Sequence, residues 1–186
     1  IDGSVQTLLD RGTKAGVERF VILPVAVRPD RTRHINEFIL EQVKQQPRFI
    51  GFGTLHAGME NVSDEAEYIM EKGLKGIKMH PDSQVFAIDD PRLFPVYEAI
   101  QGKLTVMLHM GDHRYDYSHP VKLRKVLDNF PRLQAIAAHF GGYRCWDDSP
   151  SYLGLDNVYF DTCSSLPFIS TERAKELIDL FGADRF

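Results

Sequence analysis

Apolar residues fall along the chain in short dense runs, separated by longer stretches where they recur every three or four positions. Six runs read as buried strands, over 20–27, 49–55, 75–80, 104–109, 133–139 and 157–161. Several are almost continuously apolar, as strands covered on both faces must be. Their first residues recur every 24 to 29 positions. The intervening stretches carry the helical period, over 4–16, 35–46, 62–72, 91–101, 120–129 and 171–181. Start and stop signals agree: Pro91 behind Asp90, Pro120 behind His119, Ser170 before the last helix, and Gly73 and Gly182 as stops.

Strand and helix alternating at a near-constant period predict βα units and a parallel sheet, either closed into a barrel or open and doubly wound. No GxGxxG or GxxxxGK[ST] follows the first strand, so a nucleotide-binding sheet loses its usual support. An open six-stranded piece would expose two unpaired edges. A complete (β/α)8 barrel needs about 250 residues and eight strands. The period places a following strand near residue 184 and a preceding one before Ile1. The expectation is an α/β protein, a (β/α)8 TIM barrel, with residues 1–186 forming a single domain that covers strands 2 to 7 and lacks strands 1 and 8.

Composition narrows the function classes. The 186 residues are 43% hydrophobic and 11% aromatic, too apolar for a disordered chain. No apolar run reaches the roughly 18–20 residues of a membrane helix, and no secretory signal opens the sequence. The net charge is −4, with Lys and Arg scattered, which argues against a nucleic-acid partner. Cys145 and Cys163 are too few for a disulfide framework, and a reducing cytoplasm is the default compartment. A small molecule is the expected partner, and a homo-oligomer stays open.

Chemistry in parallel barrels gathers where strands end. Four runs end on groups that ligate metals or move protons: Lys78 and His80, His109, His139, and Asp161. Alternation puts Lys78 and His80 on one face with Gly76, and His109 with Thr105 and Met107. It also puts His139 with Ala135 and Ala137, away from Ile136 and Ala138. On that reading Lys78, His80, His109 and His139 converge on one mouth. One strand-end histidine is more often a bonded core or loop residue; two that end consecutive strands point to function. Lys78 is open between an ion-pair partner, a ligand after carbamylation and a substrate anion contact. Asp161 could simply cap its loop, and the two cysteines read as small apolar fillers. His34 and His56 read as loop or rim residues.

The blocks Gly76-Ile-Lys-Met-His-Pro81, Leu108-His-Met-Gly-Asp112, Ala138-His-Phe-Gly-Gly142 and Val158-Tyr-Phe-Asp-Thr162 resemble the strand ends of the amidohydrolase superfamily. The resemblance is to its "amidohydrolase 2" branch of metal-dependent TIM-barrel hydrolases. That branch also holds aminocarboxymuconate-semialdehyde decarboxylase-like enzymes. It implies a divalent metal, most simply zinc, held by a His-x-His on strand one, a His on strand five and an Asp on strand eight. Only the strand-five ligand falls in this sequence, at His109. His139 matches the strand-six histidine, which serves the metal-bound water or substrate in mononuclear members and a second metal in binuclear ones. Lys78 occupies the strand that carries a carbamylated lysine in binuclear relatives. Residues 182–186 resemble the lead into strand eight.

The implied activity is attack of metal-activated water on a small carbonyl, amide or ester. His139 and Asp112 are the candidate catalytic groups, Asp112 alternatively supporting His109 from behind. His109 and His139 are the candidate metal ligands. Lys78, His80, Arg114, Tyr115, Arg144 and Trp146 are candidates for substrate binding, the arginines as forks for a carboxylate. Three rivals stand beside hydrolysis. They are metal-dependent decarboxylation of an aromatic or muconate-like acid, Schiff-base chemistry on Lys78, and a non-catalytic barrel-derived binding module.

Overall fold

A computed structural model describes residues 4–186. Strand β1 (Phe20–Ile22) pairs in parallel with β2 (Phe49–Gly51). Phe52 then carries the chain across, its N–H donating to the Ile22 carbonyl. Directly after it, β3 (Gly53–Thr54) opens a five-stranded parallel sheet with β4 (Gly76–Met79), β5 (Thr105–Leu108), β6 (Gln134–Ala137) and β7 (Val158–Phe160). The spatial order follows the chain order without reversal. That is the winding of a barrel, since a doubly wound sheet reverses direction at a switch point.

The strands are shorter than the apolar runs that announce them. The first run reaches Pro24, which has no N–H to give a ladder, and the chain leaves the sheet there. The helices lie close to their expected positions: α1 (Val5–Lys14), α2 (Thr32–Gln45), α3 (Val62–Glu71), α6 (Pro120–Asn129) and α7 (Thr171–Phe181). The stretch expected as one helix over 91–101 begins instead as a 3-10 turn, Pro91–Leu93, and continues as α5 (Phe94–Ile100). A four-residue helix α4 (Pro81–Gln84) follows β4 directly. Four residues are too few to carry a period, so the sequence pattern does not announce it. No helix among the described residues is long and apolar enough to cross a membrane.

The main core lies between the sheet and the helices. Ile77, Met79, Val106, Leu108, Ala135, Ala137, Val158 and Phe160 meet Ile69, Val96, Tyr97, Ile100, Leu123, Val126 and Leu127 there. Tyr97 is fully buried, and its hydroxyl donates to the Ile88 carbonyl at 2.8 Å. The opposite face of the sheet is thinner, with Phe52, Met107 and Ala138 backed by Ile50 and Ile136. The register explains the division, because Val106 sits opposite Ala135, Met107 opposite Ile136 and Leu108 opposite Ala137.

This corrects one sequence expectation. Ala135 and Ala137 face the helices, and Ile136 and Ala138 face the cavity. Strict alternation would therefore send His139 outward. Two buried polar clamps fix the layers. Asn36 of α2 donates to the Thr54 carbonyl and accepts from the Thr54 N–H, at 3.0 and 2.7 Å. Gln84 of α4 donates to the carbonyls of Ala26 and Leu55.

Candidate functional site

The carboxyl ends of β4, β5, β6 and β7 surround a cavity of about 440 Å³, lined among others by Lys78, His80, His109, His139, Tyr143, Asp161 and Cys163. Lys78 points inward from β4. His80 follows and caps α4, its Nδ1 accepting from the Ser83 N–H at 3.4 Å. His109 leaves β5 with its N–H still laddered to the Met79 carbonyl.

His139 reaches the same cavity by breaking the strand. Its φ is 63° and that of Phe140 is 56°, a left-handed pair that non-glycine residues adopt at a cost of about 1–3 kcal/mol each. Asp161 holds this conformation, because its Oδ1 accepts the His139 N–H at 2.8 Å and the Cys163 N–H at 3.1 Å. From the other side the Trp146 indole donates to the His139 carbonyl at 3.0 Å.

The three imidazoles touch. The rings of His80 and His109 stack with centroids 3.7 Å apart and planes 10° apart. His139 Nε2 lies 2.9 Å from His109 Nδ1. His109 Nε2 lies 3.1 Å from the Gly111 carbonyl, which can only accept. A proton on His109 Nε2 would satisfy that carbonyl and leave Nδ1 bare toward His139. On its far side His139 Nδ1 lies 2.8 Å from the Cys163 carbonyl and 3.2 Å from the Cys163 Sγ.

Burial sets the charge states. It pushes the His109 pKa down to about 3, helped by His80, His139 and Lys78. It takes His80 down to about 4, with Lys78 adding to the effect. Both rings are therefore neutral near pH 7, the state in which imidazole binds a metal. Burial also pulls Lys78 down to about 8, against the opposing charge of Asp161. Lys78 is 8% exposed, and its ammonium makes no hydrogen bond or ion pair among the described residues. Burial and then Asp161 raise the Cys163 thiol to about 12, which argues against a free thiolate nucleophile.

Among the described residues two groups of three donors bring their ligand atoms within 4.8 Å of one another: His80, Asp82 and His109, and His139, Asp161 and Cys163. Asp82 Oδ1 is buried and has no hydrogen-bond partner among the described residues. Neutral imidazole, carboxylate and thiol together suit zinc or a similar borderline metal.

The remaining sequence candidates stand outside the cavity lining. Asp112 is buried, but its two oxygens are taken by the Arg114 guanidinium at 2.9 and 2.7 Å. That fork holds its pKa well below the usual carboxylate range. The Arg114 fork thus closes on Asp112 rather than on open space. Tyr115 is half exposed and stacks with Tyr117. The Arg144 guanidinium lies over the Phe168 ring at 4.4 Å. Trp146 touches His139 through the backbone carbonyl alone. Sequence reasoning passed over Asp82, although its place two residues after His80 repeats the Lys78–His80 spacing. It also read Cys163 as filler.

The amidohydrolase family model ("Amidohydro_2") matches residues 4–186. The chain belongs to the amidohydrolase family. A curated relative, 2-amino-3-carboxymuconate-6-semialdehyde decarboxylase of Dictyostelium discoideum, is 33% identical over 72 residues. That match covers 37% of this amidohydrolase chain and 20% of the relative. Among solved structures, an uncharacterised TIM-barrel protein of Bordetella bronchiseptica aligns with a TM-score of 0.72 at 19% identity, over 86% of this chain and 59% of that one. Amidohydrolase 2 from Bifidobacterium longum subsp. infantis aligns with a TM-score of 0.60 at 15% identity, over 98% and 69%. These likenesses make the fold an α/β TIM barrel, of which the amidohydrolase chain spans part.

Proposed function

We propose that this amidohydrolase chain carries the strand-five and strand-six side of a metal-dependent hydrolase centre. A small carbonyl, amide or ester substrate would enter the cavity at the strand ends. His109 would hold a divalent ion, most simply zinc, which when bound would lower the pKa of a water and polarise the substrate oxygen. The His109 nitrogen that would serve is Nδ1, the one facing His139. His139, pinned by Asp161 and Trp146, orients the attacking water or donates to the oxygen that gains charge. Lys78 presents an ammonium without a hydrogen-bond or ion-pair partner among the described residues to an anionic part of the substrate. Tyr143 walls the cavity, its ring centroid 5.8 Å from that of His139. The two free cysteines suit a reducing, cytoplasmic setting.

The observation that carries this reading is the 2.9 Å approach of two imidazoles from neighbouring strands into one cavity. Assay of the zinc-loaded protein against a panel of esters, lactones and amides tests it. Turnover that chelation removes and zinc restores is the expected result; turnover indifferent to chelation rejects it.

Non-oxidative decarboxylation of an aromatic or muconate-like acid is the second reading. Lys78 favours it, since a buried ammonium without a partner suits a substrate carboxylate. The Dictyostelium relative bears the name of a decarboxylase. Release of CO₂ from a panel of carboxylated aromatics, without consumption of water, would decide for it.

A further inference from the structure

The proposed centre uses one nitrogen of His109 and leaves the other to the protein. Nδ1 faces His139. Nε2 points back into the fold, toward the Gly111 carbonyl at 3.1 Å and toward Asp82, whose Oδ2 is 4.0 Å away. Asp82 lies in α4, immediately after β4, with its side chain 3% exposed. Its Oδ2 accepts a hydrogen bond from the Ser118 hydroxyl. Its Oδ1 is buried with no partner. His80 stacks on His109 and fixes the plane in which the two His109 nitrogens point.

We infer that Asp82, held by Ser118, is a positioning residue that reinforces the Gly111 carbonyl in keeping the His109 proton on Nε2 and so reserves Nδ1 for the metal. The inference rests on the reading of His109 as a ligand. A carboxylate beside one imidazole nitrogen stabilises the tautomer protonated there and raises the basicity of the other nitrogen. When Nδ1 gives electron density to a cation, the Nε2–H becomes a stronger donor. Asp82 Oδ2, at 4.0 Å, lies beyond hydrogen-bond distance and would answer through a small side-chain shift. An ion seated directly among His80, Asp82 and His109 is the competing arrangement. The stack opposes it, because parallel rings aim their in-plane lone pairs side by side rather than at one point.

The test measures zinc affinity by chelator competition, together with the His109 tautomer by nitrogen NMR, in the whole protein. Asp82→Ala is expected to weaken zinc about 10–100-fold and to move part of the His109 proton to Nδ1. Asp82→Asn keeps an acceptor oxygen and should lose less, and Ser118→Ala less again. His109→Ala should abolish the affinity. A purely structural role for Asp82 would lower the melting temperature without moving the tautomer. Wild-type affinity and tautomer in Asp82→Ala would overturn the inference while leaving His109 as a ligand. Loss of zinc as complete as in His109→Ala would overturn it too, by making Asp82 a ligand. Zinc retained in His109→Ala would sink the reading beneath it. If Asp82→Ala does not fold, Asp82→Asn gives the same two readouts.

Discussion

The mouth of the barrel and the loop rim beside it hold the same kinds of residue in opposite states. At the mouth, Lys78 and Asp82 are buried, His80 and His109 are half-buried, and neither the Lys78 ammonium nor Asp82 Oδ1 has a hydrogen-bond partner among the described residues. At the rim, Arg114 is tied to Asp112, Lys122 to Asp89 and Asp116, and Arg144 lies on Phe168. Rim charges are paired with one another, whether exposed as at Arg114 or covered as at Asp112, so they have little to offer a ligand. Mouth groups have been desolvated without full compensation, a state that persists where function requires it. Burial without a partner therefore separates the proposed centre from its rim better than charge or residue type does.

The contrast can be broken most sharply at the histidines. His109→Ala should remove nearly all zinc, read by elemental analysis of the purified protein. His139→Ala should cut turnover about 10²–10⁴-fold while most of the metal stays. Equal loss of metal in both would point to two ions.

Lys78→Met is the next test and has two opposite readouts. Removing a buried, unpaired ammonium should stabilise the fold by about 1–3 kcal/mol in denaturant unfolding. It should also weaken binding of a small carboxylate at least tenfold. The pH dependence has a defined sign. Burial lowers the Lys78 pKa from 10.5 to about 8, so the folded chain releases this proton first. The Lys78 contribution to stability thus improves as pH rises from about 8 to 10.5, while affinity for an anion falls as pH passes about 8. Anion affinity flat across that window would remove Lys78 from the binding role.

Asp161→Ala should cost about 1–3 kcal/mol, since two backbone N–H groups lose their acceptor and His139 loses support for its left-handed turn. Thermal unfolding measures this. A drop no larger than that of an exposed control such as Asp156→Ala would show that the turn holds itself. The smallest effect belongs to the rim. Arg114→Ala should change KM less than twofold, and a larger rise would restore this arginine to the substrate.

Much of the frame could be read directly from residue spacing. The helices over Pro120–Asn129 and Thr171–Phe181 fall where Pro120 and Ser170 announce them. The six apolar runs each contain a strand, because burial on both faces demands continuous apolar sequence. The inward direction of Lys78 and His109 also follows from alternation, which β4 and β5 obey up to their ends. The same rule misplaces Ala135 and Ala137. Alternation is a property of extended backbone, and nothing local warns that the chain turns left-handed at His139.

Sequence alone therefore determined the βα rhythm and the strand ends at which the candidate ligating residues stand. Those depend on local periodicity and on the cost of burying backbone and side chains in the wrong place. Tertiary structure decided which nitrogens face which atoms. The Asp161 carboxylate, 22 residues beyond His139, sets that ring's direction. Asp82 and Ser118, 36 residues apart, meet behind His109. The Arg114 fork is closed by a neighbour instead of waiting for a ligand. Such outcomes depend on contacts between elements distant in sequence and on competition among partners for each polar atom, and no spacing along the chain encodes them.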